Sequence, residues 1–128
     1  MEKIAFYYCF LCGNVLTRDI DSNDQPICCR EPMEKMRVQK DGADSDEHLP
    51  IISINGNEVT VTVGATLHPM SKDHYIKRIY LVTVKGVKYS LLEYDDKPLS
   101  VFTIDEDDEV LGAYAYCNFH GLWYTEIV

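Results

Sequence analysis

Four of the chain's five cysteines, Cys9, Cys12, Cys28 and Cys29, fall within its first 29 residues. That stretch is too short to bury a core of its own, and units below about 40 residues usually need disulfides, a metal or a partner to fold. The count is odd, so disulfides cannot use every thiol. Cys9-Phe10-Leu11-Cys12-Gly13 is a CxxC turn with a glycine behind it, a geometry that aims two thiolates and several backbone N–H groups at one point. Cys28-Cys29 follows after a polar loop, and four thiolates make a closed tetrahedral site for zinc or iron. Adjacent cysteines cannot form a second CxxC turn, so a distorted tetrahedron is expected.

The rest of the chain reads as strands. In "NEVTVTVG", Val59, Val61 and Val63 face one way and Thr60 and Thr62 the other, the period of a half-buried strand, and Asn55-Gly56 before it marks a hairpin. Further β-rich runs lie on either side of Lys85-Gly86, in "PLSVFTI", in "VLGAYAY" and in "LWYTEIV". Short strands every 8–12 residues without helical periodicity predict an all-β chain, a small metal-stapled unit over 1–36 followed by a β-sandwich over 37–128. Residues 37–47, "RVQKDGADSDE", read as a polar linker and loop. The acidic run Asp105 to Glu109 lacks the spacing of an EF-hand and reads as a solvated turn.

Each of the four histidines falls at a loop or strand end: His48 before Leu49-Pro50, His68 in "TLHPM", His74 in "SKDHYI" and His120 in "CNFHG". Strand ends of a sandwich gather at its rims, where sites are built. Four imidazoles with the fifth cysteine, Cys117, suit iron better than zinc, which takes four ligands. Five donors on a six-coordinate ion leave one position open to a small molecule. The formal charge of −9 argues against a nucleic-acid partner, and no apolar run approaches a membrane span. The N-terminus lacks a signal peptide, so a cytoplasmic protein with reduced thiols is expected.

The motifs resemble those of a known family. "CFLCG…CC" is similar to desulforedoxin, and "EHLP", "HPMSKDHYI" and "CNFHGLW" are similar to superoxide reductase; joined in this order they resemble desulfoferrodoxin, the two-iron superoxide reductase. The resemblance spans nearly the whole chain. It implies a tetrahedral iron on Cys9, Cys12, Cys28 and Cys29, and a second iron held in a plane by His48, His68, His74 and His120 with Cys117 as axial ligand. It also implies an immunoglobulin-like sandwich, a homodimer, a rubredoxin-like electron donor, and reduction of superoxide to hydrogen peroxide in the oxidative-stress defence of anaerobes. The alternative is an iron protein that only relays electrons. Asn118 and Phe119 are the expected backbone neighbours of the Cys117 sulfur. One departure falls at the site. The family reads Glu-Lys-His before its first histidine, and this chain reads Asp46-Glu47-His48. Asp46 and Glu47 thus stand where the family has its capping glutamate and its superoxide-attracting lysine, and one of the two is expected to cap the sixth position of the iron. Lys72 is the candidate substitute cation.

Overall fold

The computed structural model describes residues 2–127, which form two compact units, Met1–Arg37 and Val38–Val128. In the first, β1 (Ile4–Tyr8) and β2 (Val15–Asp19) make an antiparallel hairpin. Then β3 (Ile27–Cys28) and β4 (Glu31–Pro32) make a second, very short one, and β5 (Glu34–Lys35) pairs with the free side of β1. Phe6 and Met33 are buried with Ile4, Ala5 and Val15, a core of only a few side chains. At about 1.5–3 kcal/mol per fully buried side chain, so small a core leaves the cysteine cluster to supply much of the unit's stability.

The second unit is the sandwich. Its elements are β6 (Val38–Gln39), the single helical turn α1 (Ser45–His48), β7 (Pro50–Asn55), β8 (Glu58–Val63), β9 (Ile76–Thr83), β10 (Gly86–Leu91), β11 (Leu99–Thr103), β12 (Val110–Cys117) and β13 (Gly121–Glu126). One sheet runs β10-β9-β12-β13-β6, the other β11-β8-β7. Every pairing is antiparallel except β13 with β6, where Leu122 and Trp123 lie beside Val38 and Gln39. The stretch read as a linker therefore contributes an edge strand and the helical turn; a two-residue strand in a polar run has too little periodicity to be seen.

The core lies between the sheets. Val59, Val61 and Val63 of β8 meet Ile79 and Leu81 of β9 and Ala113 and Ala115 of β12. The same alternation gives Cys117 the inward phase, since Ala113, Ala115 and Cys117 share one face while Tyr114 and Tyr116 take the other. A register slip of one residue would throw the thiol out of the core. The starts of β7, β9 and β13 and the ends of β8 and β12 share one rim, as the pairs Pro50–Val63, Ile76–Cys117 and Cys117–Gly121 require. At the opposite end the acidic loop receives Lys85, whose Nζ lies 3.1 Å from Asp105 and 2.6 Å from Asp107, while its N–H donates to Asp108. The turn thus takes its counter-charge from within the chain.

Candidate metal centres

Cys9, Cys12, Cys28 and Cys29 present sulfurs that all lie within 4.8 Å of one another. Cys12 Sγ is 3.6 Å from Cys28 Sγ, which is 3.9 Å from Cys29 Sγ. A tetrahedron of ~2.3 Å metal–sulfur bonds has edges of about 3.8 Å, so the sulfurs are spaced for one ion. The first pair comes from a turn closed by Gly13 N–H to the Cys9 carbonyl (2.8 Å) and Cys9 N–H to the Asn14 carbonyl (2.9 Å), with Gly13 at φ +79°. The second pair comes from the β3–β4 hairpin, whose two loop residues, Cys29 and Arg30, both have positive φ, 53° and 67°. The distortion expected of adjacent cysteines thus falls on the backbone, in a left-handed turn, while the sulfur spacing stays near regular.

The thiols titrate as a crowd. Backbone N–H groups of Cys12 and Leu11 pull Cys9 down to about 7, whereas its thiol neighbours push Cys29 up to about 12. Four thiolates at this spacing need a cation.

At the rim, the four imidazoles form a ring. His48–His68, His68–His74, His74–His120 and His120–His48 have centroids 4.6, 4.7, 4.9 and 4.8 Å apart and stand edge to face. His48 and His74, across the ring, are 6.4 Å apart and closer to parallel. The ring nitrogens turned inward are His48 Nε2 and His68 Nε2, 3.0 Å apart, and His74 Nε2 and His120 Nδ1, 3.2 Å apart. A square of metal–nitrogen bonds of about 2.1 Å has edges of about 3.0 Å. Cys117 Sγ lies 3.4 Å from His68 Nε2. His48, His74, His120 and Cys117 offer donors all within 4.8 Å of one another, with His68 between His48 and His74 in the ring.

The tautomers support a metal. His48 Nδ1 is 2.8 Å from the Asp44 carbonyl, and His68 Nδ1 is 2.6 Å from the Pro69 carbonyl. A carbonyl only accepts, so both Nδ1 atoms carry the proton and both Nε2 atoms face each other as bare lone pairs. Two lone pairs at 3.0 Å repel unless a cation lies against them. Burial pushes His68 down to about 4 and His74 below its usual value, which favours the neutral form of those two rings.

Burial also pushes the Cys117 thiol up, while backbone N–H groups of His120 and Phe119 oppose it, the former 3.4 Å from the sulfur. Phe119 thus lies at the sulfur, but the N–H of Asn118 goes to the Tyr75 carbonyl instead, because β12 still pairs with the β9 side at that point.

Glu47 is exposed in the α1 turn directly before His48, and its charge favours the protonated form of His74. Asp46 is exposed and its carbonyl accepts from Thr66 N–H; Lys72 is exposed in the turn before His74.

Three residues not anticipated from sequence complete the site. Trp123 stacks on His48 at 4.9 Å and 17°, and its Nε1–H donates to the His120 carbonyl. Gln39 Nε2 donates to the same carbonyl at 2.7 Å. Gly64, at φ +91°, lets the β8 end pass the α1 backbone: a Cβ there would lie 2.3 Å from the Thr66 carbonyl and 2.7 Å from that of Glu47. Only the aromatic run around Trp123 hinted at any of them.

The sequence model of the family described as desulfoferrodoxin matches residues 39–126. The chain belongs to the desulfoferrodoxin family. It is 37% identical over 126 residues to desulfoferrodoxin of Nitratidesulfovibrio vulgaris, covering 98% of each chain. It is likewise 37% identical to a desulfoferrodoxin homolog of Archaeoglobus fulgidus, over 95% of this chain and 96% of that one. The crystal structure of the superoxide reductase from Treponema pallidum superposes with a TM-score of 0.87 at 30% identity, over 98% of this chain and all of that one. Superoxide reductase (1Fe-SOR) from Giardia intestinalis gives 0.53 at 32% identity, over 64% of this chain and 99% of that one. The all-β architecture, with a cysteine-cluster unit followed by a sandwich, is the one expected, and the two donor sets fit the two iron centres of a desulfoferrodoxin.

Proposed function

We propose that this protein is a superoxide reductase, converting superoxide, one electron and two protons to hydrogen peroxide at the histidine-ring site. The observation that carries this is the ring itself: bare imidazole nitrogens at 3.0–3.2 Å around one point, with a buried thiol sulfur against it. Four imidazoles and one thiolate leave a six-coordinate ion one position for substrate, which a pure electron carrier does not need.

His48, His68, His74, His120 and Cys117 would hold the catalytic iron, and Cys9, Cys12, Cys28 and Cys29 the second. Ferrous iron held there would supply the electron that superoxide takes up. The chain's own groups do the rest. The Asp44 and Pro69 carbonyls hold His48 and His68 in the metal-binding tautomer. The N–H groups of Phe119 and His120 offset the charge on the Cys117 sulfur and so tune its donation. Glu47 and Asp46, both exposed just before His48, are the carboxylates available to cap the open position, Glu47 being the one whose charge acts on His74, and Lys72 is the nearest candidate cation in sequence. Residues 1–36 act as the desulforedoxin-like iron domain and 37–128 as the catalytic domain, in keeping with the division of the fold at Arg37 and with the family match from residue 39.

By the same family argument the protein is a cytoplasmic homodimer reduced by a rubredoxin-like donor. Among the described residues, no helix is long and apolar enough to cross a membrane.

The test is to mix fully ferrous protein with superoxide and count products. One peroxide per histidine site without dioxygen is expected. Release of dioxygen, or superoxide left unconsumed, would reject the assignment. In Cys117→Ser, unchanged iron content and rate would reject the sulfur as ligand.

A further inference from the structure

We propose that Asn118 is a positioning residue: it clasps the loop carrying His74 to the loop carrying Cys117 and His120, and so sets how tightly the histidine site keeps its metal. This rests on the reading of that site as an iron site. The ring has two unequal halves. His48, His68 and Cys117 are buried to 3% exposure or less. His74 and His120 sit on segments that reach solvent.

His120 has its own support, because its carbonyl accepts from both Gln39 and Trp123. His74 depends on something else. Its turn is closed internally by Ser71: the two residues exchange backbone hydrogen bonds at 3.0 and 3.2 Å, and Ser71 Oγ donates to the His74 carbonyl. Those bonds shape the turn but do not place it against the other ligands.

Asn118 does. Its N–H donates to the Tyr75 carbonyl at 3.2 Å, its Oδ1 accepts from Tyr75 N–H at 2.9 Å, and its Nδ2 donates to the Asp73 carbonyl at 3.1 Å. One residue thus grips the chain on both sides of His74. The regular β12–β9 ladder becomes irregular between Tyr116 and Cys117, and the asparagine amide carries the cross-link one step further. The chemistry demands asparagine, whose side chain accepts and donates at once; aspartate keeps only the acceptor and alanine neither. Asn118 is exposed, so its replacement leaves no core cavity.

The two metal centres of one chain provide the control. Protein loaded with two irons is mixed with a ferrous chelator, and release is followed separately at each centre, the cysteine centre by its thiolate absorption. Asn118→Ala is expected to speed loss from the histidine site by about 10–100-fold, the usual cost of removing such outer support, with the cysteine centre unchanged. Asn118→Asp should fall between the two. Hydrogen exchange at the Tyr75 amide should be fast in Asn118→Ala and near native in Asn118→Asp. Native release rates in Asn118→Ala, or equal acceleration at both centres, would overturn the clasp alone. A native chain that takes up metal only on its cysteines would overturn the clasp together with the reading it rests on.

Discussion

His68 shows how far one side chain's environment can be carried into a measurement. It is 3% exposed, its Nδ1–H is committed to the Pro69 carbonyl, and burial holds it at about 4 against an ordinary 6.5. The unfolded chain therefore binds a proton between those values that the folded, metal-free protein refuses. Stability then rises with pH across that window and falls as pH drops from 6.5 towards 4. At about 1.4 kcal/mol per unit the loss is at most about 3 kcal/mol from this residue. Urea titrations of metal-free protein at pH 7 and pH 4.5 should show the midpoint fall in acid, and His68→Gln should flatten the slope; an equal slope in that variant would remove His68 as its cause. Trp123 acts on two adjacent members of the ring, by stacking on His48 and by donating to the His120 carbonyl. Trp123→Phe keeps the stack and leaves Gln39 on that carbonyl, so a cost near 1 kcal/mol is expected in a thermal melt, against roughly 3–5 kcal/mol for Trp123→Ala.

At the scale of elements, two tight turns place the ligands, and each makes a prediction. Gly64 ends β8 where the α1 turn crosses it, and a methyl group there would strike backbone oxygens of Thr66 and Glu47, which cannot swing aside as side chains do. Gly64→Ala should cost roughly 2–4 kcal/mol and displace His48, so that metal analysis finds the cysteine centre filled and the histidine centre depleted. Full occupancy of both would show that the crossing has slack. Arg30 is the opposite case. It is exposed and sits at φ 67° in the hairpin that brings Cys28 and Cys29 together, a left-handed conformation that glycine adopts without the Cβ penalty. Arg30→Gly should raise the melting midpoint of the N-terminal unit, by about 1 kcal/mol in stability. These turns also mark the limit of what could be read from sequence. The cysteines and histidines that the fold gathers were legible, because those residue types are few and sit at strand ends, and the strands were legible because Val59, Val61 and Val63 alternate with threonines. Gln39 was not, since its partner carbonyl at His120 lies 81 residues away and nothing local announces a two-residue strand. Nor was the choice of ring nitrogen, which depends on the carbonyls of Asp44 and Pro69 coming within reach only after folding.

At the scale of the whole molecule, charge is unevenly shared. Residues 38–128 hold seven Lys and Arg against fifteen Asp and Glu, whereas residues 1–37 hold five against six. The unit with the histidine ring thus presents a net negative field to an anionic substrate, and the exposed Glu47, next to His48 in the chain, adds to it. Such a field slows encounter at low ionic strength, and salt relieves it, because the Debye length shrinks from about 30 Å at 0.01 M to 8 Å at 0.15 M. The second-order rate with pulse-generated superoxide should therefore stay level or rise as salt is added. Glu47→Lys changes the local charge by two. It should raise the low-salt rate about three- to tenfold and make the rate fall with salt, which is the signature of attractive steering. A native rate that drops steeply with salt would mean that a cation already guides superoxide to the ring. Lys72→Ala would then identify that cation, losing both the low-salt rate and its salt dependence if Lys72 is the one.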